Sequence, residues 1–307
     1  MDDDFKKKLK ERLDNGDITE ELYEEIMDRW GSANTDKKKE NTNYETHPED
    51  PEKEEDSQKT KRIKVSGVGQ FEDVYAMEFE VSGAADVSGI VNVECMEISG
   101  VARIHGNVNA SESVEISGSL AAMENVSSKN LEVSGAAKIS GNVDLEHMEV
   151  DGAATVEGNV KVSADIEISG RLNAESVESN RIDSSGRMDV KKKIRADDIS
   201  VDGIIESETV ECNFLRITLR SSGGKIGSLI CNTVNVSREW RRFRSATISI
   251  DKITCKKAEL EGVRASVVKG DEIFLGDGCY VDYVEAKTLK LSENATVKKK
   301  NVKGQGE

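Results

Sequence analysis

The residues of this chain that could carry out acid–base chemistry are few. Only three of its 307 residues are histidines, and His105 and His147 lie within a region of short repeats. A transferase that activates an acceptor group needs such a general base beside a pocket for the acceptor. The repeats around both histidines leave no stretch long enough to form a protruding loop. We therefore interpret both as surface or corner residues.

The cysteines likewise give no sign of a catalytic or metal centre. Their number is odd, they are widely spaced and none forms a CxxC pair, which is not the pattern of a disulfide framework or a zinc site. No Walker-type phosphate loop and no Ser/His/Asp or Cys/His arrangement stands out. We expect no enzyme activity, no metal site and no cofactor, with most cysteines acting as small core residues in a reducing compartment. The cysteines are Cys95, Cys212, Cys231, Cys255 and Cys279.

One basic and aromatic cluster interrupts an otherwise acidic chain. Such a cluster can stack bases or hold phosphates and anionic lipid headgroups. It can equally cover a gap in the core, with arginine stems lying over the aromatic rings, or it can dock on an acidic surface of another subunit. Its members are Arg238, Trp240, Arg241, Arg242, Phe243 and Arg244.

Carboxylates recur at a nearly constant interval and form an acidic column. Each lies between two apolar positions, so it points outward from a strand. A solvated column of this kind keeps sheets from pairing sideways; alternatively, it binds cations or a basic partner. The acidic column consists of Glu80, Glu97, Glu115, Glu132, Glu149, Glu167 and Asp183.

The same interval organises the whole region around the column. Glycines from Gly67 to Gly203 recur with it, and apolar residues stand two and four places before most of them. Self-similarity at a short fixed period indicates a solenoid, and period-two alternation indicates strands. The predicted fold is all-β, a single-stranded parallel β-helix of about 17 residues per coil, with strands of two or three residues. A recurring asparagine, for example Asn125 and Asn142, is expected at a corner with a left-handed backbone.

The chain divides into four parts. We expect a small α-helical hairpin at 1–31, a disordered charged linker at 32–62, the β-helix at 63–300 and a flexible tail at 301–307. The β-helix is expected to have irregular coils from about 204 and an interruption near 237–247. The string LDNGDITEELYEEIMDRW resembles the two-helix SHOCT module, which implies oligomerisation or tethering of protein clients.

Charge and hydropathy limit the functions that remain. The net charge of −16 argues against broad nucleic-acid binding. The chain has no apolar N-terminal run and no stretch of membrane-spanning length, so membrane contact is not expected and the protein is predicted to be cytoplasmic.

Assembly through the ends of the β-helix is the leading expectation. The end coils carry unpaired backbone donors and acceptors that can pair with another molecule. The apolar residues expected to make this contact are Ile63, Val65, Leu289, Leu291 and Val297.

The short VSG and GNV coils, together with VKGDEIFLGDGCYVDYVEAKTLKLSENATV, resemble bactofilins. This resemblance implies a β-helical cytoskeletal protein that forms homopolymers without nucleotide. The core is longer than is usual in that family, and the N-terminus lacks the short apolar membrane-targeting segment of some members.

Two other functions stay open. One is a non-polymerising binding scaffold that uses the acidic column or the Arg/aromatic segment. The other is a hexapeptide-type acyltransferase, suggested by a spacing near six in Ile98, Ile104, Ala110 and Ile116. In that family a small residue directly follows the aliphatic one, whereas here glycine comes second.

Overall fold

The structure is a computed structural model that describes residues 60–220, 223–239 and 246–303. The predicted hairpin at 1–31 lies outside the described residues, as does the predicted linker up to residue 59. The first strand begins at Thr60, slightly before the expected start of the β-helix.

The described residues form 27 β-strands in one continuous sheet, and no helix occurs among them. The strands are β1 (Thr60–Val65), β2 (Val68–Phe71), β3 (Val74–Val81), β4 (Ala84–Val87), β5 (Val91–Ile98), β6 (Val101–Ile104), β7 (Val108–Ile116), β8 (Ser119–Ala122), β9 (Val126–Ser127), β10 (Asn130–Val133), β11 (Ala136–Ile139), β12 (Val143–Val150), β13 (Ala153–Val156), β14 (Asn159–Ile168), β15 (Arg171–Glu178), β16 (Arg181–Ser184), β17 (Arg187–Arg195), β18 (Asp198–Val201), β19 (Ile204–Glu211), β20 (Phe214–Leu219), β21 (Lys225–Ile230), β22 (Thr233–Arg238), β23 (Ile248–Thr254), β24 (Lys257–Leu260), β25 (Val263–Leu275), β26 (Tyr280–Leu291) and β27 (Thr296–Val302).

Every strand pairs in parallel with the strand one coil away, which confirms the predicted parallel β-helix. Each coil has three faces: face 1 begins at Ile63, face 2 at Phe71 and face 3 at Val74. The strands are longer than predicted, up to 13 residues in β25, because the backbone often stays extended from one face to the next.

Apolar residues stack into continuous columns inside the coils. Those of face 1 confirm the spacing of the sequence and extend it to the last described coil. The first face-1 column contains Ile63, Phe79, Met96, Val114, Leu131, Met148, Ile166, Ile182, Ile199, Leu215, Val234, Ala258, Ile273 and Leu289. The neighbouring column runs through Val65, Val81, Ile98, Ile116, Val133, Val150, Ile168, Ser184, Val201, Ile217, Val236, Leu260, Leu275 and Leu291.

The asparagine column does lie at a corner, but the asparagines act through their side chains. The Asn125 Oδ1 accepts the backbone N–H of Asn142 at 2.8 Å, and Asn142 Oδ1 accepts that of Asn159 at 2.9 Å. Each amide therefore satisfies a backbone donor of the next coil, where the strand ladder is interrupted.

Beyond residue 204 the coils continue, although the repeated glycine is lost. Successive members of the first face-1 column from Leu215 are Val234, Ala258 and Ile273, so one coil is markedly longer than its neighbours and the next is shorter. The longest step, from Val234 to Ala258, includes residues 240–245, which lie outside the described part of the chain. The extra residues of this coil thus leave the register of the flanking strands intact.

Candidate assembly surfaces and the acidic column

The N-terminal end of the described β-helix presents a small apolar surface on face 1 and face 2. Ile63 and Phe71 are half-buried and pack on the core, whereas Val65 is only 3% exposed. The Phe71 and Phe79 rings meet edge to face, with centroids 5.7 Å apart and planes at 83°. Ile63 and Phe71 therefore supply more of the accessible apolar surface here than Val65.

The C-terminal end of the described β-helix has a similar surface. Leu289 and Val297 are half-buried against the core, and Leu291 is 41% exposed. Of the five residues predicted for self-assembly, Leu291 is the most exposed. It lies at the end of β26, beyond the reach of β27, which pairs only with Tyr280–Ala286.

The apolar columns connect these two surfaces. Leu289 ends the column that Ile63 begins, and Leu291 ends the column that Val65 begins. On face 2, the column that ends at Val297 begins at Phe71, a residue that the sequence interpretation missed. Its position one repeat before Val87 could have revealed it. The face-2 column is Phe71, Val87, Ile104, Ala122, Ile139, Val156, Ala174, Val190, Ser207, Ile226, Ile250, Ala265, Val281 and Val297.

Both ends also carry strand edges. Within the described residues, β1 pairs only with β3, and β27 pairs only with β26. Unpaired N–H and C=O groups along such edges are templates for another strand. On face 3, however, the apolar column ends in the exposed Lys300, which lies beside Val284. A charge at this end disfavours burial of face 3 by a second molecule. The accessible apolar area at the C-terminal end therefore lies on faces 1 and 2.

The members of the acidic column lie in register on the outside of face 1. Lys64 precedes Glu80 in the column, and Lys64 Nζ lies 2.6 Å from a Glu80 carboxylate oxygen. The hydrogen bond from Lys64 lowers the pKa of Glu80, and one from Arg62 adds to this effect. The basic residues therefore neutralise the N-terminal end of the column.

The middle of the column lacks such compensation. No ion pair in the described part of the chain involves Glu97, Glu115, Glu132, Glu149 or Glu167. Desolvation raises the pKa of Glu149, and repulsion from Asp151, Glu132 and Glu167 raises it further. The column is thus a line of repelling carboxylates about 4.8 Å apart, which could accept cations or a basic partner.

Arg238 is the described member of the basic and aromatic cluster. Its Nε donates to the carbonyl of Ala246 at 2.9 Å, and its guanidinium lies against Gly262 and Gly278. Both glycines have positive φ angles, and a Cβ at either would meet the guanidinium. Arg238 therefore holds a corner of the coil together. Trp240, Arg241, Arg242, Phe243 and Arg244 lie outside the described residues.

The two histidines lie on the surface beside aspartates. His105 Nε2 is 3.2 Å from Asp86 Oδ1, and His147 Nδ1 is 2.7 Å from Asp165 Oδ1. All four side chains are roughly half exposed. None of these four residues lines the largest groove described below, whereas an acyltransferase would need its general base beside a pocket for the acceptor.

A shallow groove of about 750 Å³ runs along faces 2 and 3. Thr155, Asn173, Asp189 and Glu206 line it with polar side chains, which alternate with the buried residues of face 2. Arg187 bridges these two carboxylates, with contacts of 2.8 Å to Asp189 and 3.0 Å to Glu206. None of the residues that line the groove is a histidine or a cysteine.

The fold and its ends define a class: a parallel β-helical repeat protein with apolar columns that reach both ends. Within this chain, residues 60–161 match the model of a family described as bactofilin, polymer-forming cytoskeletal. No curated protein and no solved structure gives a significant match. The matched residues run from β1 into β14, so the first part of the solenoid is a bactofilin-like β-helix. The SHOCT-like segment lies outside the matched and described residues.

Among the described residues, no helix has the length and apolar character needed to cross a bilayer.

Proposed function

We propose that this protein is a cytoskeletal scaffold that assembles end to end through its β-helix. The observation that carries the proposal is the continuity of three apolar columns between the ends, from Ile63 to Leu289, Val65 to Leu291 and Phe71 to Val297. The description of the matching family, polymer-forming cytoskeletal, supports it.

Strand pairing between the ends would supply the assembly contact. A second molecule that adds its end coil to an open edge satisfies backbone groups and covers the apolar residues at the same time. Because the contact consists of backbone hydrogen bonds and apolar burial, it needs no nucleotide. In this scheme the acidic column opposes sideways association and keeps growth along the coil axis.

We infer a homopolymer in the cytoplasm that does not bind nucleic acid broadly or contact membranes. Residues 1–31, for which the sequence predicts a helical hairpin, would recruit protein clients. Deletion of residues 1–59 should therefore leave assembly intact and remove client binding in a pull-down.

A charge at Leu291 tests the assembly contact. Leu291→Glu introduces a carboxylate into the surface that would be covered, so sedimentation should show small soluble species in place of polymers. Met123→Glu is the matched control, since Met123 is 44% exposed and lies on a middle coil. We expect Met123→Glu to sediment like the wild type. Unchanged polymers of Leu291→Glu would remove Leu291 from the contact.

The second candidate is a non-polymerising scaffold whose acidic column binds a basic protein. The raised pKa of Glu149 favours it, because a cationic partner would relieve the repulsion. This candidate predicts a monomer or a small closed oligomer whose partner binding weakens strongly with salt. Polymers that form in the absence of any other protein would rule against it as the main function.

A further inference from the structure

Three of the five cysteines occupy the same corner of successive coils. The backbone N–H of Cys212 donates to the carbonyl of Ile230, the residue before Cys231, at 3.0 Å. The N–H of Cys231 donates in the same way to Thr254, the residue before Cys255, at 3.0 Å. The flanking residues Glu211, Ile230 and Thr254 are in register. The three thiols therefore form a ladder along the coil axis.

The thiol ladder is enclosed by small residues. Cys231 and Cys255 are 9% and 8% exposed, and Cys212 is half-buried. Ala196 occupies the same corner one coil before Cys212, and its N–H donates to the carbonyl of Glu211. Gly270 occupies this corner after Cys255, where a Cβ would come within 3.2 Å of the Cys255 sulfur.

Neighbouring thiols of the ladder influence one another. The proximity of Cys212 and Cys255, together with burial, raises the pKa of Cys231, while the proximity of Cys231 lowers the pKa of Cys255. Cys255 Sγ is also 3.8 Å from the carbonyl oxygen of Lys269. Cys231 is thus the central member, and it has a sulfur neighbour on either side.

The geometry of the ladder selects the kind of ion that it could hold. Neighbouring coils lie about 4.8 Å apart, which is close to two metal–thiolate bonds of about 2.3 Å placed in line. In the described part of the chain, no three His, Cys, Asp or Glu side chains converge on a single point. A tetrahedral zinc site therefore does not fit, whereas two-coordinate binding by a soft ion does. Thiolates favour Cu(I) among such ions.

We propose that Cys231 and one of its two neighbours, Cys212 or Cys255, bind a single Cu(I) ion in a two-coordinate thiolate site. Each thiol that becomes a ligand loses its proton to solvent, so binding tightens as pH rises. The ladder contains two overlapping pairs, and both depend on Cys231. This proposal is independent of end-to-end assembly.

The test is an anaerobic titration of the full chain with Cu(I) against the chromogenic chelator bicinchoninate. We expect one tightly bound ion per wild-type chain. Cys231→Ala should weaken binding by more than roughly 100-fold. A loss up to that size is expected when the changed residue only supports a metal ligand and does not itself bind the ion. Cys212→Ala and Cys255→Ala should each retain one ion, since one pair survives, whereas the double variant should lose it although Cys231 is present.

Cys279→Ala is the matched control, because Cys279 is buried but lies outside the ladder, with its sulfur 3.1 Å from the carbonyl oxygen of Leu260. Circular dichroism establishes that each variant is folded. X-ray absorption of the loaded wild type should show two sulfur ligands and no third, at a metal–sulfur distance shorter than the roughly 2.3 Å of a four-coordinate zinc thiolate. Wild-type chain that fails to compete with the chelator, a Cys231→Ala variant that binds normally, or a site with three or more ligands would overturn the proposal.

Discussion

Glycine is required at the Ser-Gly corner because successive coils approach each other closely there. A Cβ at Gly152 would lie 2.0 Å from the carbonyl oxygen of Gly135, and the same contact recurs at Gly135 and Gly170. None of these three has a φ in the left-handed region, so backbone freedom is not what selects glycine. The repeat of this residue reflects the stacking distance of the coils.

Gly152→Ala should therefore destabilise the fold, by about 1–3 kcal/mol, as overpacking does in tightly packed interiors. Gly67 occupies the equivalent place in the first coil, where a Cβ would meet nothing within 4 Å. Gly67→Ala is expected to be neutral or to stabilise by up to about 1 kcal/mol. Chemical denaturation of both variants checks the pair, and equal losses of stability would contradict the close-contact explanation.

Ser184 is a polar residue within an apolar column. It is buried, and its Oγ has no hydrogen-bond partner in the part of the chain that the structure describes. Ser184→Ala should stabilise the fold by about 1 kcal/mol, because it removes an unsatisfied hydroxyl without adding volume. Ser179 is a buried control whose Oγ lies 3.0 Å from the carbonyl oxygens of Ala164 and Arg181. Ser179→Ala should destabilise the fold by a similar amount. Thermal unfolding measures both variants, and a loss of stability in Ser184→Ala would contradict the explanation that its hydroxyl is unsatisfied.

At the scale of strands and faces, two members of the acidic column, Glu149 and Glu80, have pKa shifts in opposite directions. The folded pKa of Glu149 is raised, so its ionisation opposes folding, and stability falls as pH rises between the unfolded and folded pKa values. The folded pKa of Glu80 is lowered, so its ionised form stabilises the fold, and this stability is lost as pH falls through the folded pKa.

Glu149→Gln should accordingly raise the thermal unfolding midpoint at pH 7, and Glu80→Gln should lower it. Both shifts should shrink as salt is added, because salt screens charges at the protein surface. Differential scanning calorimetry at two salt concentrations measures the pair. Shifts of the same sign in both variants would show that the column does not act through its charges.

The sequence predicted those features of the strands and faces that repeat from coil to coil. The period of the glycines and the apolar spacing in pairs such as Leu131 and Val133 were sufficient to predict the parallel β-helix and the face-1 columns. Each of these depends only on which residues recur one coil apart. Alternation of side chains across a strand then decides which face is buried.

The sequence was less informative where contacts between coils or corners decide the structure. It does not show that the backbone stays extended through a corner, as it does in β25, so strand lengths were underestimated. The role of Asn142 as an acceptor for the next coil depends on the distance between coils. The place of Phe71 in a face-2 column and the ladder of Cys212, Cys231 and Cys255 became evident only from the register.

At the scale of the molecule, the proposed assembly depends on the two ends of the β-helix. A solenoid has no single core that closes on itself, so each coil depends on its neighbours. The apolar columns reach the last described coils on faces 1 and 2, while Lys300 ends the column of face 3. End contacts between molecules would extend the same columns, and sideways contacts would bring acidic columns together.

The most direct test is electron microscopy of the full chain, purified without nucleotide, with power spectra of any filaments. The account predicts filaments that form without added nucleotide. Their spectra should show a reflection near about 4.8 Å along the filament axis, because the coils stack in that direction. Dispersed particles at high protein concentration, or filaments with that reflection across the axis, would contradict end-to-end assembly.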